Sequence, residues 1–376
     1  PARLLAVREP ISPWLVKASP DQKQAIVRSA EGQGLVLGGL LSRARELDVS
    51  NHSVPLYEHQ IATTLPYYEA LAALYPDDAD RQFEAATQLA ALGHPSHAGR
   101  YYERALALRP EDYRFRLDYG HWLLGLGRGK EAIEVLSSLR DDVPRAALVH
   151  YNLGAAVLAS GEAGAAAGHF ETALGYDDTL YGARIGLARA RIALSEEEKA
   201  QRALARSQAD NPWDEDVMHL WGILRTRQGR WEEAESLLRK AHRWAPYRSD
   251  ILLDLGRVQA RRGNLRDAEK SYVLLLRYAP QDPAGWLGLA DAMAASKRWA
   301  EAAGSYAKVL ELDSVSVAAA LGLGESLEKL QRNDSARDAF CLALHLQPGQ
   351  QRAQAGLKRL EADCSGNASN DDHTPK

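Results

Sequence analysis

A glycine and an alanine recur along this chain at intervals of about 34 residues. The alanine occurs at Ala98, Ala132, Ala166, Ala200, Ala234, Ala268, Ala302 and Ala336. The glycine occurs at Gly120, Gly154, Gly222, Gly256 and Gly324. A period of this length is typical of stacked helix pairs, in which each unit buries its apolar face only against its neighbours. The pattern therefore predicts an array of repeats rather than a few independent globular domains.

The unit that begins at Glu215 shows why these residue types recur. Gly222 lies in the first helix and lets a neighbouring helix approach closely, whereas Gly229 supplies a permissive backbone conformation in the turn. Ala234 keeps the crossing of the second helix tight, and Pro246 follows that helix because proline cannot continue it. Small residues therefore set the spacing of the helices, and large residues fill it.

This pattern resembles the tetratricopeptide repeat, which has glycine in the first helix and in the turn, alanine in the second helix and proline at its exit. The resemblance covers residues 79–350. Its units start near Ala79, Tyr113, Ala147, Tyr181, Glu215, Ser249, Pro283 and Val317. It implies an all-α, right-handed superhelical solenoid of about eight helix-turn-helix units. Ser195, Lys297 and Gln331 replace the turn glycine without breaking the phase.

The two ends of the array differ from its middle. We interpret residues 1–78 as an irregular helical extension, with a degenerate capping repeat as the alternative. Residues 351–362 form an amphipathic pattern with Leu357 and Leu360 on one face, which predicts a capping helix. Residues 363–376 are polar and have too little apolar content to order themselves, so we expect a disordered tail.

Composition excludes several classes of function. The net charge of −4 and the pI near 6.3 indicate no broad basic surface for nucleic acid. No apolar run is long enough for membrane insertion, and the first twenty residues lack a secretory leader pattern. Cys341 and Cys364 are too few for a disulfide framework, and we expect Cys341 to be a free, buried thiol. These features favour a cytoplasmic protein, or a periplasmic or secreted one if a signal has been removed.

The sequence contains no recognisable catalytic set. The glycines follow the repeat rather than a phosphate-binding spacing, and no nucleophile is paired with a base. His94 and His97 flank Pro95 and could share a metal ion, but no cysteine or carboxylate accompanies them at ligand spacing. We therefore predict no catalytic residue, no metal site and no cofactor, which means that the protein is not an enzyme.

The resemblance also implies which residues face a concave groove, because the first helix of each pair lines it. The predicted ligand-binding residues are His121, Tyr151, Asn152, Arg189, His219, Arg227, Arg257 and Arg261. The middle of this groove is basic and the last third, with Asp291 and Glu325, is acidic. Guanidinium groups form bidentate bonds with carboxylates, so the pattern suits an acidic peptide. The alternative is that these arginines only pair with helical neighbours such as Asp254.

We therefore predict a non-catalytic protein–protein interaction scaffold that binds a peptide or protein segment in its groove. An alternative is the targeting or assembly arm of a larger secretion, polysaccharide or multi-subunit enzyme machine, with residues 1–78 as the docking piece. A third hypothesis is self-association into homo-oligomers through the solenoid ends. RNA-reading helical repeats would need a longer period and a groove that is basic throughout, which argues against a nucleic-acid partner.

Overall fold

The computed structural model describes residues 68–92, 95–139 and 144–364, and every regular element in these ranges is helical. A helical segment over residues 68–74 comes first. It is followed by α1 (Ala79–Ala91), α2 (Pro95–Leu108), α3 (Tyr113–Gly125), α4 (Gly129–Ser137), α5 (Ala146–Ala159), α6 (Ala163–Tyr176), α7 (Tyr181–Ala193), α8 (Glu197–Asp210), α9 (Glu215–Arg227), α10 (Trp231–Trp244), α11 (Ser249–Arg261), α12 (Leu265–Tyr278), α13 (Pro283–Ala295), α14 (Trp299–Leu312), α15 (Val317–Lys329), α16 (Asn333–Leu346) and α17 (Gln351–Arg359).

The helix boundaries confirm the predicted repeat. Each odd-numbered helix from α1 to α15 begins at a predicted unit start, except that α5 begins at Ala146, one residue earlier than predicted. Aspartate precedes several of these first helices and caps them. Asp282, for example, accepts hydrogen bonds from the backbone N–H groups of Ala284 and Gly285, at 2.8 and 3.0 Å. The 34-residue period therefore corresponds to one helix pair.

The chain divides into two compact units, residues 1–196 and residues 197–376. Unit 1 contains α1 to α7, and unit 2 contains α8 to α17. Within each unit, consecutive helices pack against each other, and the first helices of neighbouring pairs also touch. In unit 2 we call the surface of α9, α11, α13 and α15 the first-helix face. The surface of α10, α12, α14 and α16 is the second-helix face.

The recurring alanines lie in the interior of the packed helices. All eight of them are fully buried. The recurring glycines face a large side chain of the second helix in the same pair. A Cβ atom at Gly256 would lie 2.6 Å from the ring of Tyr272, closer than packed atoms can approach. The small residues are therefore required by the distance between the helices.

The turns between paired helices use a left-handed backbone with or without glycine. Gly229 and Gly263 have φ angles of 70° and 80°. Ser195, Lys297 and Gln331, at the positions where glycine is missing, have φ angles of 60° to 62°. A side chain in this conformation costs about 1–2 kcal/mol, which the packing of the pair must offset. The phase of the repeat is therefore kept without the glycine.

The predicted capping helix is present as α17 and covers the last helix pair. Leu357 is buried in the same cluster as Phe340 and Leu321. Two arginines of the cap bind carboxylates of α15. Arg352 donates to Glu325 at 3.0 and 2.8 Å, and Arg359 donates to Glu328 through two bonds of 2.6 Å. Apolar burial and two bidentate pairs therefore hold the cap in place.

The prediction of a free thiol at Cys341 was wrong, because Cys341 forms a disulfide with Cys364. Cys341 lies on α16, and the chain returns to it after α17 has crossed the end of the array. Two cysteines cannot build a framework, but they can close one loop. The sequence did not predict this bond, because a separation of 23 residues does not show that two cysteines are close in space. Their proximity becomes clear only when the path of the capping helix is known.

Several sequence predictions lie outside the described residues. These are the structure of residues 1–67, the side chain of His94 and the tail beyond Cys364. Among the described residues, no helix is both long enough and apolar enough to cross a membrane.

The packing of the recurring alanines can be tested by substitution. We expect Ala234→Glu to lower the free energy of unfolding by roughly 3–5 kcal/mol, because it buries an unpaired charge. Ser236→Glu is the matched control, since Ser236 is exposed on the same helix. Chemical denaturation of both variants measures the difference, and equal stability would contradict the assigned phase.

The disulfide should stabilise the capping helix. A cross-link that closes a loop of this size contributes about 3 kcal/mol, so the double variant Cys341→Ser, Cys364→Ser should lose about that amount. Denaturation of the oxidised protein, the reduced protein and the variant provides the comparison. Reduced protein should match the variant, whereas identical stability in all three samples would show that the bond contributes nothing.

Candidate functional site

The predicted groove residues are divided between the two units. His121, Tyr151, Asn152 and Arg189 lie on α3, α5 and α7 of unit 1. His219, Arg227, Arg257 and Arg261 lie on α9 and α11 of unit 2. All eight therefore stand on first helices, as the repeat requires, and each unit presents its own set.

Unit 1 brings a histidine and an asparagine together on neighbouring first helices. Nδ1 of His121 lies 3.4 Å from Oδ1 of Asn152. Asn152 is buried, whereas His121 is exposed. The ring of Tyr151 packs against Phe170, with 6.2 Å between the ring centroids. Tyr151 and Asn152 are thus built into the packing of unit 1, and His121 and the exposed Arg189 offer the more accessible groups.

In unit 2, His219 connects two first helices. Its Nε2 lies 2.8 Å from Oδ2 of Asp254 on α11, and its Nδ1 lies 3.7 Å from a carboxylate oxygen of Asp250. The side chain of His219 is only 6% exposed. The structure therefore places it as a buried link between α9 and α11, with little of its ring open to a ligand.

Arg257 and Arg261 line a pocket of about 530 Å³ on the first-helix face. The side chain of Arg257 is 58% exposed, and its only pairing among the described residues is a 3.4 Å contact with Asp254. The guanidinium carbon of Arg261 lies 5.8 Å from the centre of the Trp231 ring, within the range of a cation–π contact. Arg227 is exposed on α9 but does not line the pocket.

The rest of the pocket lining is mostly apolar. It consists of Thr226, Ala260, Leu265, Tyr272, Gly288, Asp291, Ala292 and Ala295. The small residues of α11 and α13 leave the space, and the volume lies within the range of ligand pockets in proteins. Two cationic groups, two aromatic rings and an apolar surface thus meet in one cavity.

A carboxylate bonded to a tyrosine forms the acidic side of this pocket. Oη of Tyr306 donates a hydrogen bond of 2.6 Å to Oδ1 of Asp291. Asp291 is reached by solvent, but the protein around it excludes much of the water and raises the pKa of its carboxyl above the usual value. Burial raises the pKa of Tyr306, and burial also raises the pKa of Tyr272 to about 12.

Sequence reasoning missed Trp231 and Tyr272 because it considered only positions on first helices. Trp231 begins α10 and Tyr272 lies on α12, yet both reach the pocket. The signal that could have found them is an aromatic residue at the start or in the middle of a second helix, beside a groove arginine. No group of three or more His, Cys, Asp or Glu residues that could hold a metal ion is found in the described parts of the chain.

Comparison with protein families matches most of the array. A family model described as tetratricopeptide repeat matches residues 89–155, 157–220 and 225–292. A second model with the same description matches residues 298–351. No curated protein matches the chain in sequence.

Solved structures with the same fold are similar to this chain at low sequence identity. Cut9–Hcn1, an APC/C hetero-tetramer, aligns with a TM-score of 0.60 and 16% identity. The alignment covers 80% of this chain but only 62% of that one. PilF of Pseudomonas aeruginosa aligns with a TM-score of 0.51 and 21% identity, and PilW, a type IV pilus biogenesis factor, with 0.52 and 19%. Each alignment covers 57% of this chain, and 97% of PilF and 100% of PilW.

The hydrogen bond from Tyr306 to Asp291 should affect the pKa of the Asp291 carboxyl group in the pocket. The bond stabilises the ionised carboxylate and so lowers its pKa, against the opposing effect of burial. Tyr306→Phe should therefore raise the pKa of Asp291 further, as measured by a carbon NMR titration of the carboxyl group. Tyr272→Phe is the matched control, because Tyr272 lies one repeat earlier and makes no side-chain hydrogen bond among the described residues. An unchanged pKa in Tyr306→Phe would contradict this prediction.

Proposed function

Since the chain belongs to the tetratricopeptide repeat family, whose members are scaffolds for protein–protein interaction, we propose that the first-helix face of unit 2 binds a segment of a partner protein. The pocket lined by Arg257, Arg261 and Trp231 is the observation that carries the proposal. It combines an apolar lining with two guanidinium groups, and such a pocket can hold a side chain and orient it. We call it the arginine pocket.

The chemistry of the arginine pocket favours a segment that carries a carboxylate next to an apolar side chain. The pairing of Arg257 with Asp254 is long and exposed, so it contributes less than about 1 kcal/mol and a ligand carboxylate can replace it. Arg261 rests beside Trp231, which holds its guanidinium near the apolar lining. The apolar side chain of the ligand would enter between α11 and α13, where the residues are small.

We propose no catalytic step for this face, and the absence of a cofactor stays a prediction. The role of residues 1–78 as a docking piece for a larger assembly, and self-association through the ends of the array, also stay predictions. Deleting residues 1–78 and light scattering across protein concentrations address these two hypotheses.

The disulfide supports a proposal about the compartment. Bonds between cysteines persist in oxidising compartments and are rare where thiols are kept reduced. We propose, on the bond between Cys341 and Cys364, that the protein works in an oxidising compartment, which is the periplasmic or secreted alternative rather than the cytoplasmic one.

Photo-crosslinking from the arginine pocket tests the proposed function. A photoreactive phenylalanine analogue replaces Ala295, which lines the pocket, and the protein is irradiated in extract of the native host. We expect a crosslinked protein that is recovered in much lower yield when Arg257→Glu and Arg261→Glu are added, because both charges that attract the carboxylate are reversed. Mass spectrometry identifies the crosslinked segment.

The controls separate this pocket from the rest of unit 2. The photoreactive residue at Ser236, exposed on α10, should not yield the same product. Arg332→Glu with Lys358→Glu changes the net charge equally and should leave the yield unchanged, since both residues are exposed and do not line the pocket. Crosslinking that is insensitive to the Arg257 and Arg261 changes would refute the proposal.

A further inference from the structure

A second surface of unit 2 is strongly basic. The last turns of α10, residues 237–244, and most of α12, residues 270–278, carry Arg239, Lys240, Arg243, Lys270 and Arg277 and no acidic residue. Lys240, Arg243 and Arg277 form no hydrogen bond or ion pair with any other residue that the structure describes, and all three are exposed. Arg239 is paired with Glu235, and Lys270 is paired with Asp267. The three cations without an acidic partner among the described residues would be stabilised by an anionic ligand.

Four exposed aromatic side chains belong to the same part of unit 2. Trp244 and Tyr278 end α10 and α12, Tyr247 follows α10, and Trp213 precedes α9. Trp213, Trp244, Tyr247 and Tyr278 are 66%, 57%, 74% and 40% exposed. They form two pairs. The rings of Trp213 and Trp244 are 6.1 Å apart between centroids, and those of Tyr247 and Tyr278 are 5.3 Å apart. Large aromatic residues that remain this exposed, next to one another, are typical of an interaction site.

A pocket of about 420 Å³ lies between α10, α11 and α12. Leu252 and Leu255 of α11 and Leu274 of α12 give it an apolar lining, and Arg243 and Lys270 are part of its wall. His242 also lines it, and Nδ1 of His242 has no hydrogen-bond partner among the described residues. The only acidic residue in the lining is Asp267, which lies 3.1 Å from Lys270 and 3.4 Å from Arg239.

We propose that this part of the second-helix face is a second docking surface, which binds an acidic protein segment that inserts an apolar side chain between α10 and α12. We call it the aromatic–basic surface, and it consists of the five cations, the four aromatic residues and the pocket lined by Arg239, Arg243 and Lys270. Its pocket shares no lining residue with the arginine pocket, so the scaffold would have two separate binding sites within unit 2. The proposal does not depend on the function proposed for the arginine pocket.

The shape of the surface favours a protein segment over nucleic acid or a membrane. The rings of Tyr247 and Tyr278 meet at 84° and those of Trp213 and Trp244 at 51°, so the pairs present edges rather than parallel faces on which bases could stack. A lipid surface would contact the aromatic residues, but it would not fill an apolar pocket that lies between two helices. An apolar side chain from a peptide fits that pocket, and tryptophan, tyrosine and arginine are the residues that dominate protein–protein binding energy.

The test uses a fluorescein-labelled peptide of glutamates with a central Phe-Leu pair, and fluorescence anisotropy reports its dissociation constant. All measurements use the Arg257→Glu, Arg261→Glu background, so that binding in the arginine pocket does not contribute. We expect the triple change Arg243→Glu, Lys270→Glu, Arg277→Glu to weaken binding at least about tenfold, which corresponds to about 1.4 kcal/mol. We expect Trp244→Ala to weaken it as well, and a peptide of glutamates alone to bind more weakly than the Phe-Leu peptide.

Two matched controls are made outside this surface. One makes the same change in charge, and the other removes an aromatic residue at the same repeat position. Arg202→Glu, Arg332→Glu, Lys358→Glu alters three exposed residues of unit 2 outside this surface, and binding should be unchanged. Tyr176→Ala removes an exposed aromatic residue at the repeat position of Trp244 and Tyr278, but in unit 1, and should also have no effect. If the triple variant unfolds, Lys240→Glu with Arg277→Glu replaces it, because both side chains are exposed and form no hydrogen bond or ion pair with a described residue.

Three outcomes would overturn the proposal. The first is equal affinity of the triple variant and its control for the Phe-Leu peptide. The second is tighter binding of an oligoadenylate RNA or of phosphatidylserine vesicles than of the peptide, with loss in the same variants. The third is concentration-dependent self-association that Trp244→Ala abolishes, which would identify a second copy of the chain as the occupant.

Discussion

The close approach of paired helices at buried alanines is the constraint on which the rest of the structure depends. Because Ala234 and its equivalents have no side chain beyond Cβ, the second helix of each pair crosses the first at short range. A large residue then fills the gap opposite each first-helix glycine, as Tyr272 does against Gly256. This packing uses the inner sides of the helices. It leaves surface on both helix sets in unit 2 available for cations and aromatic residues, and both proposed binding surfaces use those residues.

The sequence predicted the features that depend on the repeat period. The starts of the helix pairs, the buried alanines and the capping helix follow from this period and from the volume of small residues, so the sequence alone was enough to predict them. The same phase placed Arg257 and Arg261 on a first helix, and the structure puts both in one pocket. The use of Ser195, Lys297 and Gln331 in left-handed turns shows that packing can impose the repeat where the turn residue is unfavourable.

The sequence could not predict contacts that join residues outside the period. The disulfide depends on the path of the chain after α17, and the phase does not describe that path. The burial of His219 depends on Asp254 of the next first helix, so its position alone suggested a ligand group that the structure largely encloses. Trp231 reaches the arginine pocket from a second helix. In each case the missing information is which neighbour a side chain meets, and a repeat pattern that assigns faces cannot supply it.

Hydrogen–deuterium exchange tests the central claim that unit 2 holds its partner on the first-helix face. The partner segment recovered by crosslinking is added to the intact protein, and amide exchange is compared with and without it. The account predicts slower exchange in α11 and α13, which line the arginine pocket, and unchanged exchange in unit 1. Protection confined to unit 1, or absent from α11 and α13, would contradict it.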